Sequence, residues 1–361
     1  MYMKLLSPFH LGKDVINNRI VMAPMTRSRA NIVGEVGAST VLYYTQRASA
    51  GLIISEAINI SKQAIGSPLT PGIYTQPQIQ AWKKVTQSVH DNGGKIYAQL
   101  WHTGRVGHSL VKHGDMPVAP SAIGIQGQKH FTFDGPKDYE TPLELTVQQI
   151  KDIIQDYKQA AIHAIEAGFD GIELHAAFGY LPNQFLAESS NQRTDEYGGS
   201  IENRNRFVVE VMEEMVSAIG EGKVAIRLSP TSTYNNIIHQ QPIEQFTALI
   251  SSLNALSLSY LHIMNVPYNI EQFPQYPQHI IEFIDNLSMH PIMANCGYTK
   301  ETGEEELVKG HAEMISYGTS FIANPDLPKR FELNAELNEV DKTTMYSGQD
   351  KGYIDYPFLQ N

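Results

Sequence analysis

The segment ELHAAFGYL, Glu173 to Leu181, places a histidine, His175, and a tyrosine, Tyr180, five residues apart at the end of a short apolar run. An imidazole and a phenol so placed supply two kinds of proton chemistry: a group that titrates near neutrality and an acid that keeps its proton. Phe178 stands between them. Other apolar runs end in the same way. Thr26 follows VMAPM, Glu56 lies in ISEA, Gln99, Trp101 and His102 lie in AQLWHTG, and Arg227 lies in AIRLSP. Each residue alone has an ordinary structural reading, such as a hydrogen-bonded core histidine or a buried ion-pair arginine. Polar groups at most of the run ends point instead to one shared mouth.

The elements that would position them alternate regularly. Apolar runs of strand length recur at Asn18–Met25, Gly51–Ile58, Lys95–His102, Gly168–His175, Lys223–Pro230, Leu258–Asn265, His290–Gly297 and Glu313–Ser320. Between most of them lie helical patterns. From Thr146 to Ala167 the apolar residues Val147, Ile150, Ile153, Ile154, Tyr157, Ala161, Ala164 and Ile165 step by three and four. Thr146 and Gln149 form a capping-box pattern, and Gly168 marks the stop. Near-continuous strands alternating with helices imply parallel strands buried on both faces, and a (β/α)8 barrel is their natural closure. The expected organisation is a single barrel domain over residues 1–361. A long insertion at 103–141, after the third strand, is read as a lid; FTFDGPK within it predicts a small β-hairpin flap. Aromatic residues in 333–361 predict a tail that packs back onto the barrel.

Composition narrows the chemistry. The chain has 361 residues, 42% hydrophobic and 18% charged, with a formal net charge of −11 and a pI near 5.6. That balance disfavours nucleic acid and anionic membranes as partners. The single Cys296 allows no internal disulfide and suits a cytoplasmic enzyme. No apolar stretch is long enough to read as a membrane span. His-Glu-x-x-His and His-x-His patterns are missing, so no metal is expected. No Gly-x-Gly-x-x-Gly follows a strand, which argues against a separate nicotinamide domain. Glycines at Gly297 and Gly318, after the seventh and eighth runs, suit backbone binding of a phosphate. Gln99 and Arg227 suit the carbonyls and developing negative charge of a flat heteroaromatic ring, the requirement of a flavin mononucleotide, FMN.

The blocks NRIVMAPMTRSRA, AQLWHTGRVGH, GFDGIELHAAFGYLPNQFLAESSNQRTDEYGGSIENRNRF, IRLSP, FIANPDLPKRF and KGYIDYP resemble the old yellow enzymes, FMN-dependent ene-reductases, over nearly the whole chain. The resemblance implies that Pro24, Thr26, Ala57, Gln99 and Arg227 contact the isoalloxazine, while Gly297, Gly318 and Thr319 hold the phosphate. His175 would hydrogen-bond the carbonyl of an activated alkene, Tyr180 would deliver a proton, and Trp101 and Tyr346 would wall the pocket. NADPH or NADH would be the reductant. Three positions depart from the family pattern. Phe178 replaces a second carbonyl donor, Ser67 replaces a pocket aromatic, and Thr319 replaces a phosphate-binding arginine. Two alternatives stay open on these residues: an FMN-binding barrel with little reductase activity, and a flavin-free barrel lyase or isomerase using His175 and Tyr180.

Overall fold

Eight short parallel strands close on themselves in the computed structural model, which describes residues 3–265 and 273–360. They are β1 (Ile20–Met22), β2 (Leu52–Ile54), β3 (Ile96–Trp101), β4 (Gly171–Ala176), β5 (Val224–Leu228), β6 (Leu261–Met264), β7 (Ile292–Asn295) and β8 (Met314–Tyr317). Each pairs with the next, and β8 returns to β1 with Tyr317 in register with Met22. The strands are shorter than the apolar runs of the sequence. After Ile54 the chain leaves the ladder: the Glu56 amide donates to the Tyr44 hydroxyl at 2.7 Å, and Ile58–Asn59 rejoins the end of β3.

A helix follows every strand: α1 (Ala38–Thr45), α2 (Gln76–Asp91), α3 (Val147–Glu166), α4 (Ile201–Ile219), α5 (Pro242–Leu253), α6 (Ile280–Asp285), α7 (Lys300–Lys309) and α8 (Leu327–Leu333). The right-handed alternation is what parallel strands require. In α3 the residues Ile150, Ile153, Ile154, Tyr157, Ala161 and Ala164 are buried, as the stepped pattern demands. Its capping box is complete: the Gln149 amide donates to Thr146 Oγ1 at 3.2 Å, and the Thr146 amide donates to Gln149 Oε1 at 2.9 Å. Gly168, at φ +87°, ends the helix in a backbone region that favours glycine.

The barrel interior is layered. Val21, Leu52, Ile54, Tyr97, Ala225, Tyr260, Met293 and Met314 form an apolar plug with Leu11 and Ile16. The last two come from an antiparallel hairpin, Phe9–Leu11 with Asp14–Ile16. Gly12 at its turn lies against Gly222, just before β5, where a Cβ would come within 2.8 Å of the Gly222 carbonyl oxygen. The hairpin therefore seals the end of the barrel at which the strands begin. Nearer the strand ends the inward residues become polar.

The chain between β3 and α3 holds two small pairings. Val118–Ala119 runs parallel to Leu143–Glu144, and Lys129–Thr132 pairs antiparallel with Gly135–Asp138. Thr132 Oγ1 donates to the Gly135 carbonyl at 2.7 Å, closing the turn of the second. At the other end of the chain, Tyr353 is fully buried and stacks on Tyr43, with ring centroids 4.2 Å apart.

Thr146→Ala, which removes one half of the α3 capping box, is expected to cost about 1 kcal/mol in urea denaturation, whereas Thr146→Asp should be close to neutral. Equal losses in both variants would show that the side-chain cap contributes nothing here.

Candidate active site

The open end of the barrel holds a cavity of about 1410 Å³. It is lined by Pro24, Thr26, Ala57, Ser67, Gln99, Trp101, His175, Phe178, Tyr180, Arg227, Gly318, Thr319 and Tyr346. These residues come from widely separated parts of the chain and meet because the strand ends face one way. Gly297 is the exception among the expected site residues. It is exposed at φ +78°, just past Cys296, and lies outside the cavity lining. His102 also turns away, its Nε2 bonded to Gln63 and its Nδ1 accepting from the Gly104 amide at 3.0 Å.

His175 and Trp101, near the ends of β4 and β3, have nearly parallel rings 6.3 Å apart, and Tyr180 stands edge-on to both at 4.7 and 4.8 Å. Burial, then the nearby Arg227 and His262, hold the His175 imidazole well below its ordinary pKa, so it is neutral at physiological pH. Burial, with the Tyr234, Tyr139 and Tyr346 phenols adding to it, lifts Tyr180 far above an ordinary phenol. The pair is therefore a neutral hydrogen-bonding group beside a phenol that keeps its proton.

Phe178 sits in the left-handed region at φ +55°, a conformation that asparagine tolerates and bulky residues rarely adopt. Its backbone is tied on both sides: its amide donates to Ser229 Oγ at 2.9 Å, and its carbonyl accepts from Asn235 Nδ2 at 2.8 Å. The ring lies 6.4 Å from that of His175, and the Arg227 guanidinium is 5.6 Å from its centroid. The loop path is thus fixed independently of the side chain, which faces the cavity.

Below these groups lie two polar layers that sequence reasoning only half found. Gln99, Arg227 and Asn295 come from β3, β5 and β7; Glu173, His262 and Ser316 come from β4, β6 and β8. Arg227 Nη2 donates to Asn295 Oδ1 at 2.8 Å, and Gln99 Nε2 donates to Glu173 Oε1 at 2.8 Å. Glu173 Oε2 meets His262 Nδ1 at 2.9 Å, and His262 Nε2 meets Ser316 Oγ at 2.7 Å. Burial alone would raise the Glu173 carboxyl, but His262, Arg227 and Gln99 hold it below the usual range, so it is ionised. The signal for Glu173 was a carboxylate two residues before His175 in an apolar strand; two-residue spacing puts both on one face. His262 lies within LSYLHIMN in the same way.

A barrel whose mouth offers a buried cation, amides and proton donors to a flat ligand belongs with the flavin-dependent oxidoreductases. Residues 4–338 match the model of the NADH:flavin oxidoreductase / NADH oxidase family. The chain is 42% identical over 373 residues to 12-oxophytodienoate reductase 7 of Oryza sativa subsp. japonica, covering 98% of this chain and 94% of the relative. It is 36% identical over 361 residues to 12-oxophytodienoate reductase 2 of Arabidopsis thaliana, covering 99% and 96%. Among solved structures, morphinone reductase in complex with tetrahydroNAD superposes with a TM-score of 0.93 at 43% identity, covering 99% of this chain and 98% of that one. The old yellow enzyme homologue from Zymomonas mobilis gives 0.94 at 42%, covering 99% and 100%. The chain belongs to this family, the old yellow enzymes, and is an FMN-dependent NAD(P)H oxidoreductase with a (β/α)8 barrel fold.

The residues present fit the cofactor. Arg227 is 5% exposed, yet its Nε has no hydrogen-bond partner among the described residues, a spare charged N–H suited to an electron-rich ring edge. Among the described residues no cluster could hold a metal ion, and no helix is long and apolar enough to cross a membrane.

Behind Ala57, burial pushes the Glu56 carboxyl up from 4.5 to about 7, against the pull of the Arg27 amide and of the Arg27 and Arg29 charges. The folded protein holds this proton more tightly than the unfolded chain, so the group opposes folding as pH rises through that window. Relative to wild type, Glu56→Gln is expected to gain up to about 3 kcal/mol at pH 8 and little near pH 4.5. Thermal melts of both proteins across pH test this; a stability difference that stays flat with pH contradicts it.

Proposed function

We propose that this protein reduces the C=C bond of small activated alkenes, such as enones, maleimides and nitroalkenes, by a ping-pong reaction in which NADPH or NADH and the alkene use the cavity in turn. The reading is of a cytoplasmic enzyme, one barrel domain with 103–141 as its lid and 333–361 as a tail packed on the barrel. The observation that carries it is the neutral His175 beside the protonated Tyr180, over the layer of Gln99, Arg227 and Asn295. The relatives support it, being named as reductases of 12-oxophytodienoate and of morphinone, the latter with tetrahydroNAD bound.

FMN, when bound, supplies the redox chemistry, accepting reducing equivalents from the nicotinamide and passing them to the alkene. Pro24, Thr26, Ala57, Gln99 and Arg227 would hold its ring, and Gly297, Gly318 and Thr319 its phosphate. His175 hydrogen-bonds the substrate carbonyl oxygen, where negative charge develops during reduction, and so lowers the barrier. Tyr180 gives its proton to the carbon α to that carbonyl. Trp101, Phe178, Ser67 and Tyr346 shape the pocket, which is atypical because Phe178 offers no second donor to the oxygen. That missing donor favours a second reading, an FMN-binding barrel with little reductase activity.

An absorption band at about 450 nm, bleached by NADPH and restored by an enone, separates the two. Bleaching without recovery by any enone, maleimide or nitroalkene supports the second. Phe178→Asn should speed reoxidation by cyclohexenone, by up to about 10²-fold, and tighten binding of simple phenols. If stopped-flow rates and phenol affinity stay the same or fall, Phe178 does not occupy the donor position. At the phosphate, Thr319→Arg adds a charge-assisted contact worth roughly 1.5–3 kcal/mol and should tighten FMN at least about tenfold. Unchanged affinity in a fluorescence titration would mean that another cation already serves the phosphate.

A further inference from the structure

Two arginines on the cavity lining spend most of their donors on the protein itself. Arg27 and Arg29 flank Ser28, a non-glycine residue at φ +55°, and follow Thr26 directly. Both turn to the C-terminal tail. Arg27 Nε donates to the Met345 carbonyl at 2.9 Å and Nη2 to that of Gly352 at 2.7 Å. Arg29 donates to Thr344 at 2.7 Å, Met345 at 2.9 Å, Ser347 at 2.6 Å, Gln349 at 3.0 Å and Lys351 at 3.4 Å, each through the carbonyl oxygen. Six carbonyls of one nine-residue stretch thus converge on two guanidiniums. The buried ring of Tyr353 completes the grip, with Arg29 4.7 Å and Arg27 5.2 Å from its centroid. Gly352, at φ +66°, draws the loop so tight that a Cβ would fall 1.8 Å from Thr344 Oγ1.

What the loop carries is a wall of the cavity: Met345, Tyr346, Ser347, Gly348 and Gln349 all line it. Tyr346 itself is 63% exposed and, among the described residues, no hydrogen bond of its own fixes it. An exposed side chain keeps one position only if its backbone is held, and a planar fork with five donors holds carbonyls better than an ammonium does.

We propose that Arg27 and Arg29 are positioning residues that clamp Thr344–Gly352 as a fixed wall of the cavity, and that the contact of Tyr346 with a ring-sized alkene depends on that clamp. The second half rests on the reductase reading above; the first does not. Because Thr26 and the two arginines lie in one short segment, the clamp also ties the wall to the segment that follows β1, where Thr26 lines the cavity.

The test uses the FMN-loaded full-length protein and Arg29→Ala, with Arg29→Lys as a second variant that keeps the charge but loses the fork. A lysine-specific protease should cut after Lys351 at least about tenfold faster in Arg29→Ala than in wild type, with Arg29→Lys between them, while the melting temperature moves little. Equal cutting rates in folded variants overturn the clamp. For specificity, KM for cyclohexenone should rise about tenfold in Arg29→Ala and in Tyr346→Ala, and the double variant should be no worse than either alone, because one contact is lost by two routes. Additive effects, or a loss confined to kcat, would overturn the role of Tyr346 and leave the protease result to judge the clamp. Should no alkene be reduced at all, the reductase reading fails, and the protease comparison still decides whether the arginines hold the wall.

Discussion

A guanidinium buried at the centre of a barrel is the constraint around which the rest is arranged. Arg227 is 5% exposed and cannot shed its charge, so its burial demands compensation from every side. Asn295 takes one N–H directly, and the ionised Glu173 supplies the balancing charge from the layer beneath. Glu173 needs donors in turn and finds them in Gln99 and His262; His262 is then fixed by Ser316. Six strands contribute to this chain of obligations. Burial first, and then the positive end of this chain, keep His175 from becoming a cation, so the charge that holds the layers together reinforces the neutral state of the group above them.

The large-scale order was legible in the sequence because both signals that encode it are local. Runs of apolar residues mark strands covered on both sides, and the Thr146 to Gly168 pattern marks a helix with both its caps. Polar residues at run ends mark the mouth. Strand lengths were not legible. Gly51–Ile58 reads as one run, yet pairing stops at Ile54 because the Glu56 amide takes a phenol partner from α1, a contact no local pattern shows. Glu173 and His262 were passed over for a related reason: each looks like a stray polar residue in an apolar strand, and only closure of the barrel brings them together. Gly297 shows what a run end leaves open: it reads as a glycine past a strand, while its left-handed φ of +78° and its exposed position just outside the cavity lining appear only in the folded chain.

Phe178 illustrates how a fold can fix a backbone independently of the side chain it carries. Ser229 and Asn235 hold the peptide groups on either side, and both bonds are indifferent to the residue they hold. The position thus adopts a backbone shape that asparagine tolerates well while presenting an apolar ring toward the cavity. Ser67, also on the cavity lining, presents a small hydroxyl there, so the two side chains give that wall both a bulky apolar face and a small polar one.

The hairpin of Phe9–Leu11 and Asp14–Ile16 has a consequence at the far end of the molecule. By stoppering the barrel with Leu11 and Ile16 against the apolar plug, it leaves a vessel with one neck. With Leu11 and Ile16 closing the floor, a ligand in the cavity has no exit along the barrel axis and leaves on the side where it entered. A sealed floor, far from any reacting group, thus makes the rim the place where exchange with solvent is decided.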